Sequence, residues 1–594
     1  MIRTPLRPLA RILDARNKGE NPDVIERENI RQRHEAMRDK AQGRAEGRLL
    51  VLAAMFVAAF VVVGVRMGVL ANSEPMEPRA SALGAGITTQ RADIVDREGR
   101  ILATNLETRA LYAQPPHMVD PAHSAAELAR IFPDLDEKKL LADFTGARKF
   151  LWIRKRISPE QQQAVHDIGD PGLMFGNREM RLYPNGHLAA HVLGGASFGR
   201  EGVNAAEVVG VAGVEKQFDA LLRDPAQSGK PLQLSLDLTV QTAIERLLYG
   251  GMKLMNAKGA AAVLMDVRTG EVISVVSLPD FDPNDRPNPP TEGSPSDSPL
   301  FNRAVQGVYE LGSTYKAFTL AQALELGLVN PSTMINTKGP LVWGRHKIRD
   351  FHNYGAELSV TKVLVKSSNI GTARIAQMIG GARQKEFLGS LGLLAPVPLE
   401  MIEAAGGAPL LPPKWSEIST MTISYGHGLS NTPLHLAAGY ASIVNGGTRV
   451  VPTLIKQSAP QVGARVISEQ NSAAMRAMLR KVVTEGTASF GEVEGYAVGG
   501  KTGTADKPKE NGGGYHKDKV IATFASIFPA HDPKYVLVVT LDEPVETSGP
   551  QPRRTAGWTS VPVAAEIIRR IAPLLGLRPT IEPAQLAGIT LTSN

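Results

Sequence analysis

The sequence predicts an α+β, multidomain chain carried behind a single N-terminal membrane-spanning helix. Three observations lead there. Leu49 to Val65 runs 17 residues without a charge. Helical periodicity over about 313–440 is inserted between two groups of strand-like segments, one near 260–277 and one over 496–542. That order specifies a layered α+β domain rather than alternating βα units. Finally, 594 residues with 43% apolar and 21% charged side chains suffice for two or three globular domains. Cysteine is absent. That excludes a disulfide scaffold, a cysteine zinc site, an iron–sulfur cluster and a cysteine nucleophile.

The first element is the anchor. Of the net charge of +7, residues 1–48 supply +4, with 12 Lys/Arg against 8 Asp/Glu. The basicity is a property of this tail, and no basic face with interleaved aromatics follows it, so nucleic acid is not an expected partner. Residues 49–71 as a helix would span about 34 Å, enough for a bilayer core. Arg66 lies near one end, where its long stem can reach the interface. A 48-residue charged leader is too long for a cleaved signal peptide. The basic side is expected to stay cytoplasmic, which places residues 72 onward outside. The mixed charges of 1–48 read as a solvated segment.

In the exported part, residues 72–90 read as a small, polar linker. Arg91–Ala103 (R-A-D-I-V-D-R-E-G-R-I-L-A) is a hairpin turning at Glu98-Gly99. Residues 122–170 read as helical. R-L-Y-P (Arg181–Pro184), A-H-V-L-G (Ala190–Gly194) and G-V-E-K-Q-F-D (Gly213–Asp219) follow. Nothing in 72–228 pairs a nucleophile with a base, so this stretch is expected to be a non-catalytic spacer.

A new pattern starts at Gln233. A helix over Leu238–Lys253 leads to apolar strands at Ala260–Val267 and Glu271–Ser277, expected at the centre of a sheet. Seven prolines in 279–299 make a surface loop. Long helices are expected to occupy 313–440, and strands return at 496–504 and 519–542. A last amphipathic helix starts at Pro562, with Val563, Ile567, Ile571 and Leu574 on one face.

Three short motifs carry the chemistry: G-S-T-Y-K (Gly312–Lys316), S-S-N (Ser367–Asn369) and K-T-G-T (Lys501–Thr504). Each alone is weak; their order and local context carry the weight. Ser313 stands between a glycine and a helical stretch, where unpaired N–H groups favour developing negative charge. Lys316, three residues on, shares its face. A serine hydroxyl needs a neighbour to take its proton. A lysine serves only if burial or a second cation lowers its pKa, and Lys501 is a candidate second cation. Thr502, Thr504 and Lys501 suit a substrate carboxylate. Gly503 has no side chain to block a peptide lying along the strand.

These motifs occur together in penicillin-recognising serine enzymes. With R-A-D-I-V-D-R-E-G-R-I-L-A, R-L-Y-P, G-V-E-K-Q-F-D, P-D-F-D-P-N (Pro279–Asn284) and S-Y-G-H-G-L-S-N-T-P-L (Ser424–Leu434), the chain from 49 to about 572 resembles the class B penicillin-binding proteins, the peptidoglycan D,D-transpeptidases, and among them the division-specific, septal type. Ser368 stands where the S-D-N form has Asp, Leu311 where Pro is frequent, and Ala92 where Gly is frequent.

The resemblance implies a cytoplasmic tail (1–48), a transmembrane helix (49–71), an elongated periplasmic pedestal (72–228), a β-lactamase-like transpeptidase domain with an antiparallel sheet sandwiched by helices (229–575) and a C-terminal tail (576–594). It implies that Ser313 attacks the bond between the last two D-alanines of a donor stem peptide and that Lys316 accepts its proton. The Ser313 and Thr504 N–H groups would form the oxyanion hole. Ser367 would relay a proton to the leaving D-alanine and Lys501 would balance its charge. Asn369 would bind the peptide backbone, and Thr502 and Thr504 its carboxylate. No metal or organic cofactor is implied. The implied partners are stem peptides, β-lactams, the inner membrane, a polytopic glycosyltransferase and other division proteins. The competing readings are an elongation-specific transpeptidase, a D,D-carboxypeptidase or β-lactamase-type hydrolase, and a non-enzymatic division scaffold. No Glu in an E-x-x-L-N context supports a lactamase, and no glutamate-centred motif in 72–228 supports an attached glycosyltransferase.

Overall fold

A computed structural model describes residues 7–72, 91–201, 206–227, 229–509 and 513–580. Most of the expected linker and the chain beyond 580 lie outside these residues. The chain divides into two compact units, Met1–Ser81 and Ala82–Asn594.

The first unit is helical. Helix α1 (Arg7–Asn17) precedes α2 (Pro22–Asn72), one uninterrupted helix of 51 residues. The tail is therefore helical, and its described side chains are mostly exposed, as its mixed charges suggested. Its Arg, Glu, Lys and Ala are strong helix formers, and ion pairs such as Arg31–Glu35 at 3.0 Å sit one turn apart on its surface. Within α2, Glu46–Met67 is long and apolar enough to cross a membrane, and none of it is buried in protein. An apolar helix that packs on nothing is suited to lipid. Among the described residues it is the one helix long and apolar enough to cross a membrane, which fits a single-pass anchored protein.

The second unit begins with a sheet built on the expected hairpin. Strands β1 (Ile94–Val95) and β2 (Ile101–Ala113) pair antiparallel, with Ile94 opposite Ala103. Asp96 closes the turn by accepting from the N–H groups of Glu98 and Arg100, each at 2.9 Å. The stretch expected to be wholly helical is broken. It holds α3 (Pro121–Ile131), α4 (Glu137–Thr145) and α5 (Pro159–His166), but also β3 (Leu151–Ile157). L-W-I-R-K-R-I shows no strand-period alternation, and it becomes a strand by pairing with β2. Strand β4 (Leu173–Leu182) covers the other edge of β2.

Three of the sequence motifs meet in one buried ion cluster. Glu215 accepts from Arg91 at 2.7 Å and from Arg181 at 2.7 Å, and Arg91 also reaches Asp219 at 2.7 Å. Asn284, from the proline-rich loop, brackets the Tyr183 backbone with bonds of 2.9 and 2.8 Å. Strand β5 (Leu232–Gln233) then lies parallel to β1, so the later part of the chain completes the first sheet.

The main layer is a five-stranded antiparallel sheet. Helix α6 (Leu238–Leu254) leads into β6 (Gly259–Asp266) and β7 (Val272–Leu278). They are joined by β8 (Gly499–Pro508), β9 (Tyr515–Phe528) and β10 (Tyr535–Asp542), in the order β8-β9-β10-β6-β7. Strand β6 is internal as expected, but β7 is an edge. Its residues are nonetheless all buried, and its outer backbone is satisfied by irregular chain: Val272 donates to Thr453 O at 2.9 Å, and Ile273 O accepts from Asp237 at 3.0 Å.

The helical insertion is interrupted by short strands and loops and continues past residue 440, with helices also at Gly381–Ser390 and Glu417–Ile423. It contains α7 (Lys316–Glu325), α8 (Val360–Lys366), α9 (Asn369–Ile379), α10 (Pro433–Val444) and α11 (Glu469–Glu485). Between α7 and α8, short strands pair Met334–Asn336 with Glu357–Ser359 and Leu341–Trp343 with His346–Ile348. The final helix α12 (Ser560–Leu574) buries Val563, Ile567 and Ile571 but leaves Leu574 about half exposed.

Candidate active site

Ser313 lies in a 3₁₀ turn, Gly312–Tyr315, that feeds α7 at Lys316. The nucleophile thus precedes the α-helix by one tight turn. Motif two is placed by a sharp bend: Ser367 ends α8 with φ +61, the left-handed region that a serine rarely adopts. That bend aims its hydroxyl inward. Lys316 Nζ donates to Ser367 Oγ at 3.0 Å, to Ser367 O at 2.6 Å and to Asn369 Oδ1 at 2.7 Å. Lys501 Nζ donates to the same Ser367 Oγ at 3.0 Å. Two lysines, both fully buried, therefore converge on one hydroxyl, and one of them, Lys316, follows Ser313 by one turn of chain.

Burial disfavours the charged amines. It pushes Lys501 down to about 7. Lys316 falls well below its ordinary value, chiefly through burial and then through the charge of Lys501, with Asp350 opposing. Burial thus favours the neutral amine, the form a general base requires.

Motif three forms the start of edge strand β8. Gly503 serves a purpose different from the one its sequence suggested. A Cβ there would stand 2.1 Å from the Leu311 carbonyl oxygen, so the missing side chain admits this chain's own serine turn rather than a substrate peptide. Thr502 Oγ1 is 2.7 Å from Thr487 Oγ1, and Thr504 Oγ1 accepts from Ala556 N at 3.0 Å. The Asn369 amide is likewise engaged: its oxygen holds Lys316 and its nitrogen donates to Arg349 O at 3.1 Å.

Several supporting residues were not singled out from sequence. The S-Y-G-H-G-L-S-N-T-P-L segment braces the serine turn. Glu310 accepts from Gly428 N at 2.8 Å, lies 3.1 Å from His427 Nδ1 and accepts from Tyr515 Oη at 3.0 Å. Gly426 meets the Gly312 carbonyl so closely that a Cβ would sit 1.9 Å from it. Asn431 pairs with Tyr309 through both backbone groups, and Tyr440 Oη donates to Thr314 O at 2.8 Å. Asp350 is bound to motif two, and a cavity of about 660 Å³ opens there, lined in part by Arg349, Asp350, Tyr354 and Ile370.

A serine turn set under a glycine-bearing edge strand, with two buried amines on a second serine, defines the active-serine, penicillin-recognising class of fold. The Penicillin binding protein transpeptidase domain matches residues 260–569, and the Penicillin-binding Protein dimerisation domain matches residues 86–229. The chain belongs to this penicillin-binding protein family. It is 35% identical over 571 residues, 93% of each chain, to the probable peptidoglycan D,D-transpeptidase FtsI of Caulobacter vibrioides. It is 28% identical to the peptidoglycan D,D-transpeptidase FtsI of Escherichia coli K12, covering 83% of this chain and 85% of that one. Among solved structures it resembles penicillin-binding protein 3 of Mycobacterium tuberculosis in complex with aztreonam, with 26% identity and a TM-score of 0.63 over 83% of this chain and 98% of that one.

Proposed function

We propose that this chain is a septal peptidoglycan D,D-transpeptidase, cross-linking stem peptides through an acyl-enzyme on Ser313. The observation that carries the reading is the convergence of Lys316 and Lys501 on Ser367 Oγ beside the Ser313 turn. Neutral Lys316 takes the Ser313 proton as Oγ adds to the carbonyl carbon between the two terminal D-alanines. The Ser313 and Thr504 N–H groups receive the oxyanion. A Cβ at Gly312 would stand 2.8 Å from the Thr504 carbonyl oxygen and 3.1 Å from its nitrogen, so the serine turn packs directly on the Thr504 backbone. Ser367, held between the amines, passes a proton to the departing nitrogen. The C–N bond breaks, D-alanine leaves, and an ester to Ser313 remains. An amine of a neighbouring stem peptide attacks that ester, forms the new amide and restores the serine hydroxyl. Asn369 releases part of its present bonding to hold the peptide backbone, and Thr502 with Thr504 faces its carboxylate. β-Lactams acylate the same serine.

The basic N-terminal segment supports a cytoplasmic side for α1 and the start of α2 and a periplasmic side for the second unit. A pedestal over 72–228 then carries a transpeptidase domain over 229–575. The similarity to FtsI-named relatives supports use at the division septum, in the company of a polytopic glycosyltransferase and other division proteins. The full chain in detergent, given a stem pentapeptide and an acceptor amine, is expected to yield the amide product. Release of free D-alanine without amide would overturn transfer in favour of hydrolysis. Ser313→Ala is expected to abolish labelling by a fluorescent penicillin, and labelling that persists would remove Ser313 from the mechanism.

A further inference from the structure

The chain between β10 and α12 carries two adjacent arginines with different surroundings. Arg553 closes a loop with Glu546: Arg553 N donates to Glu546 O at 2.9 Å, and Glu546 N donates to Arg553 O at 2.8 Å. Its guanidinium lies 3.8 Å from the centre of the Trp558 ring and 3.6 Å from the Glu546 carboxylate. Arg554 has no such company. The residue is partly buried, and its Nε is fully so. Among the described residues nothing accepts from that Nε and no carboxylate pairs with the guanidinium. A buried N–H left unpaired costs free energy, so an arginine kept in this state is suited to a partner that the chain does not supply.

The location says which partner. Two residues after Arg554, Ala556 N donates to Thr504 Oγ1 at 3.0 Å. Gly557 lies against Thr487, where a Cβ would stand 2.8 Å from the Thr487 carbonyl oxygen, and Thr487 Oγ1 is 2.7 Å from Thr502 Oγ1. The stretch from Arg554 to Gly557 therefore runs beside both hydroxyls of the third motif, on the edge strand β8. Two residues of chain span at most about 7 Å, a gap that an arginine side chain bridges. The charges at this edge are unequal. Burial holds Lys501 down to about 7 and Lys316 well below its ordinary value. Neither amine offers a full positive charge at neutral pH, and the threonine hydroxyls offer none. A guanidinium stays protonated throughout.

We propose that Arg554 is a specificity-determining residue of the donor site, pairing its guanidinium with the terminal carboxylate of the stem peptide while Thr502 and Thr504 supply the neutral hydrogen bonds. The inference rests on the active-site reading given above. It divides the work by charge: the buried lysines stay free to move protons, and the arginine answers the standing negative charge of the substrate. A guanidinium presents parallel N–H groups to the two oxygens of one carboxylate, which fixes orientation as well as affinity. A donor whose last carboxyl is a neutral amide leaves Arg554 unpaired and is disfavoured. The contact is remote from the bond that breaks, so it holds substrate and transition state alike and appears in KM rather than in kcat.

The test uses the full chain in detergent, an acceptor amine, and two stem pentapeptide donors that differ only in ending on a carboxylate or a carboxamide. Formation of the cross-linked amide gives kcat and KM for each. The wild type is expected to favour the acid donor by about 10- to 100-fold in kcat/KM. Arg554→Gln is expected to raise KM for the acid donor by about tenfold or more while kcat and the carboxamide donor stay within about twofold. Arg554→Met, which keeps the length of the stem and removes the charge, is expected to do the same. Arg554→Lys returns a charge without the fork and is expected to restore part of the preference. Equal use of the two donors by the wild type overturns the proposal. So does an equal loss on both donors in Arg554→Gln, which would make the residue structural, and so does an Arg554→Lys enzyme no better than Arg554→Gln. Unfolding of both uncharged variants also overturns it, because Arg554 would then serve the fold alone. In each of these cases wild-type amide formation that is lost on Ser313→Ala leaves the active-site reading standing.

Discussion

Lys501→Met isolates what the second buried lysine does. Both amines lie 3.0 Å from Ser367 Oγ, so they are at most about 6 Å apart. Two unit charges at about 6 Å and an effective dielectric of about 20 repel by about 3 kcal/mol, equivalent to about two pH units on the partner. Lys501 titrates near 7 and is charged only part of the time at neutral pH. The expected shift on Lys316 is therefore about one unit. The sign is upward: without Lys501, Lys316 holds its proton to higher pH. Acylation by a fluorescent penicillin should show its acid limb displaced to higher pH and a rate at pH 7 about tenfold lower, with more of it recovered at pH 8.5. The melting temperature should not fall, because methionine fills the volume and removes a buried charge. A variant with reduced acylation but an unmoved acid limb would refute the electrostatic role and leave Lys501 only as a hydrogen-bond donor to Ser367.

Gly503→Ala should slow acylation about 100-fold, because its Cβ would collide with the Leu311 carbonyl at 2.1 Å and push β8 off the serine turn; near-normal labelling kinetics would count against that contact. Glu215→Gln strands Arg91 and Arg181 in the buried cluster and should cost about 3–5 kcal/mol in denaturant melts; a change below about 1 kcal/mol would show that water reaches the site. His435 is buried in the first turn of α10, where Thr432 bonds it and Ala395 O lies 2.9 Å from Nε2. Burial holds its pKa down to about 4. Its stabilising contribution is complete above its unfolded value near 6.5 and is lost as pH falls toward 4, by up to about 3 kcal/mol. His435→Gln, which keeps a capping partner, should flatten the stability profile between pH 6.5 and 4; an unchanged acid slope would assign that slope elsewhere.

Much of this protein is legible from local pattern. The uncharged run from Leu49, the Glu98-Gly99 hairpin, the strands around 260–277 and 519–542 and the three motifs all depend on periodicity or spacing that a linear reading detects. The errors share a cause. L-W-I-R-K-R-I became a strand because β2 offered an open edge, and β7 became an edge strand because the chain at Thr453 and Asp237 satisfied its backbone. Both outcomes depend on partners distant in sequence. Ser313, Lys316, Ser367, Asn369, Lys501, Thr502, Gly503 and Thr504 were all visible as motif members. Glu310, Asp350 and Tyr440 were not, since a lone polar residue in a loop or helix has no period or spacing to mark it.

The sequence by itself determined the anchor, the order of the strands and helices, and the residue types needed for acyl transfer, because these follow from hydrophobic runs, turn chemistry and short-range spacing. Tertiary structure alone decided that Lys316 turns to Ser367 and Asn369, that Gly503 receives the Leu311 carbonyl, and that Asp350, 18 residues away, accepts from Ser368. The reason is the same in each case: hydrogen bonds and charge–charge forces act over a few ångströms of space, and folding brings together groups that the chain holds tens to hundreds of residues apart.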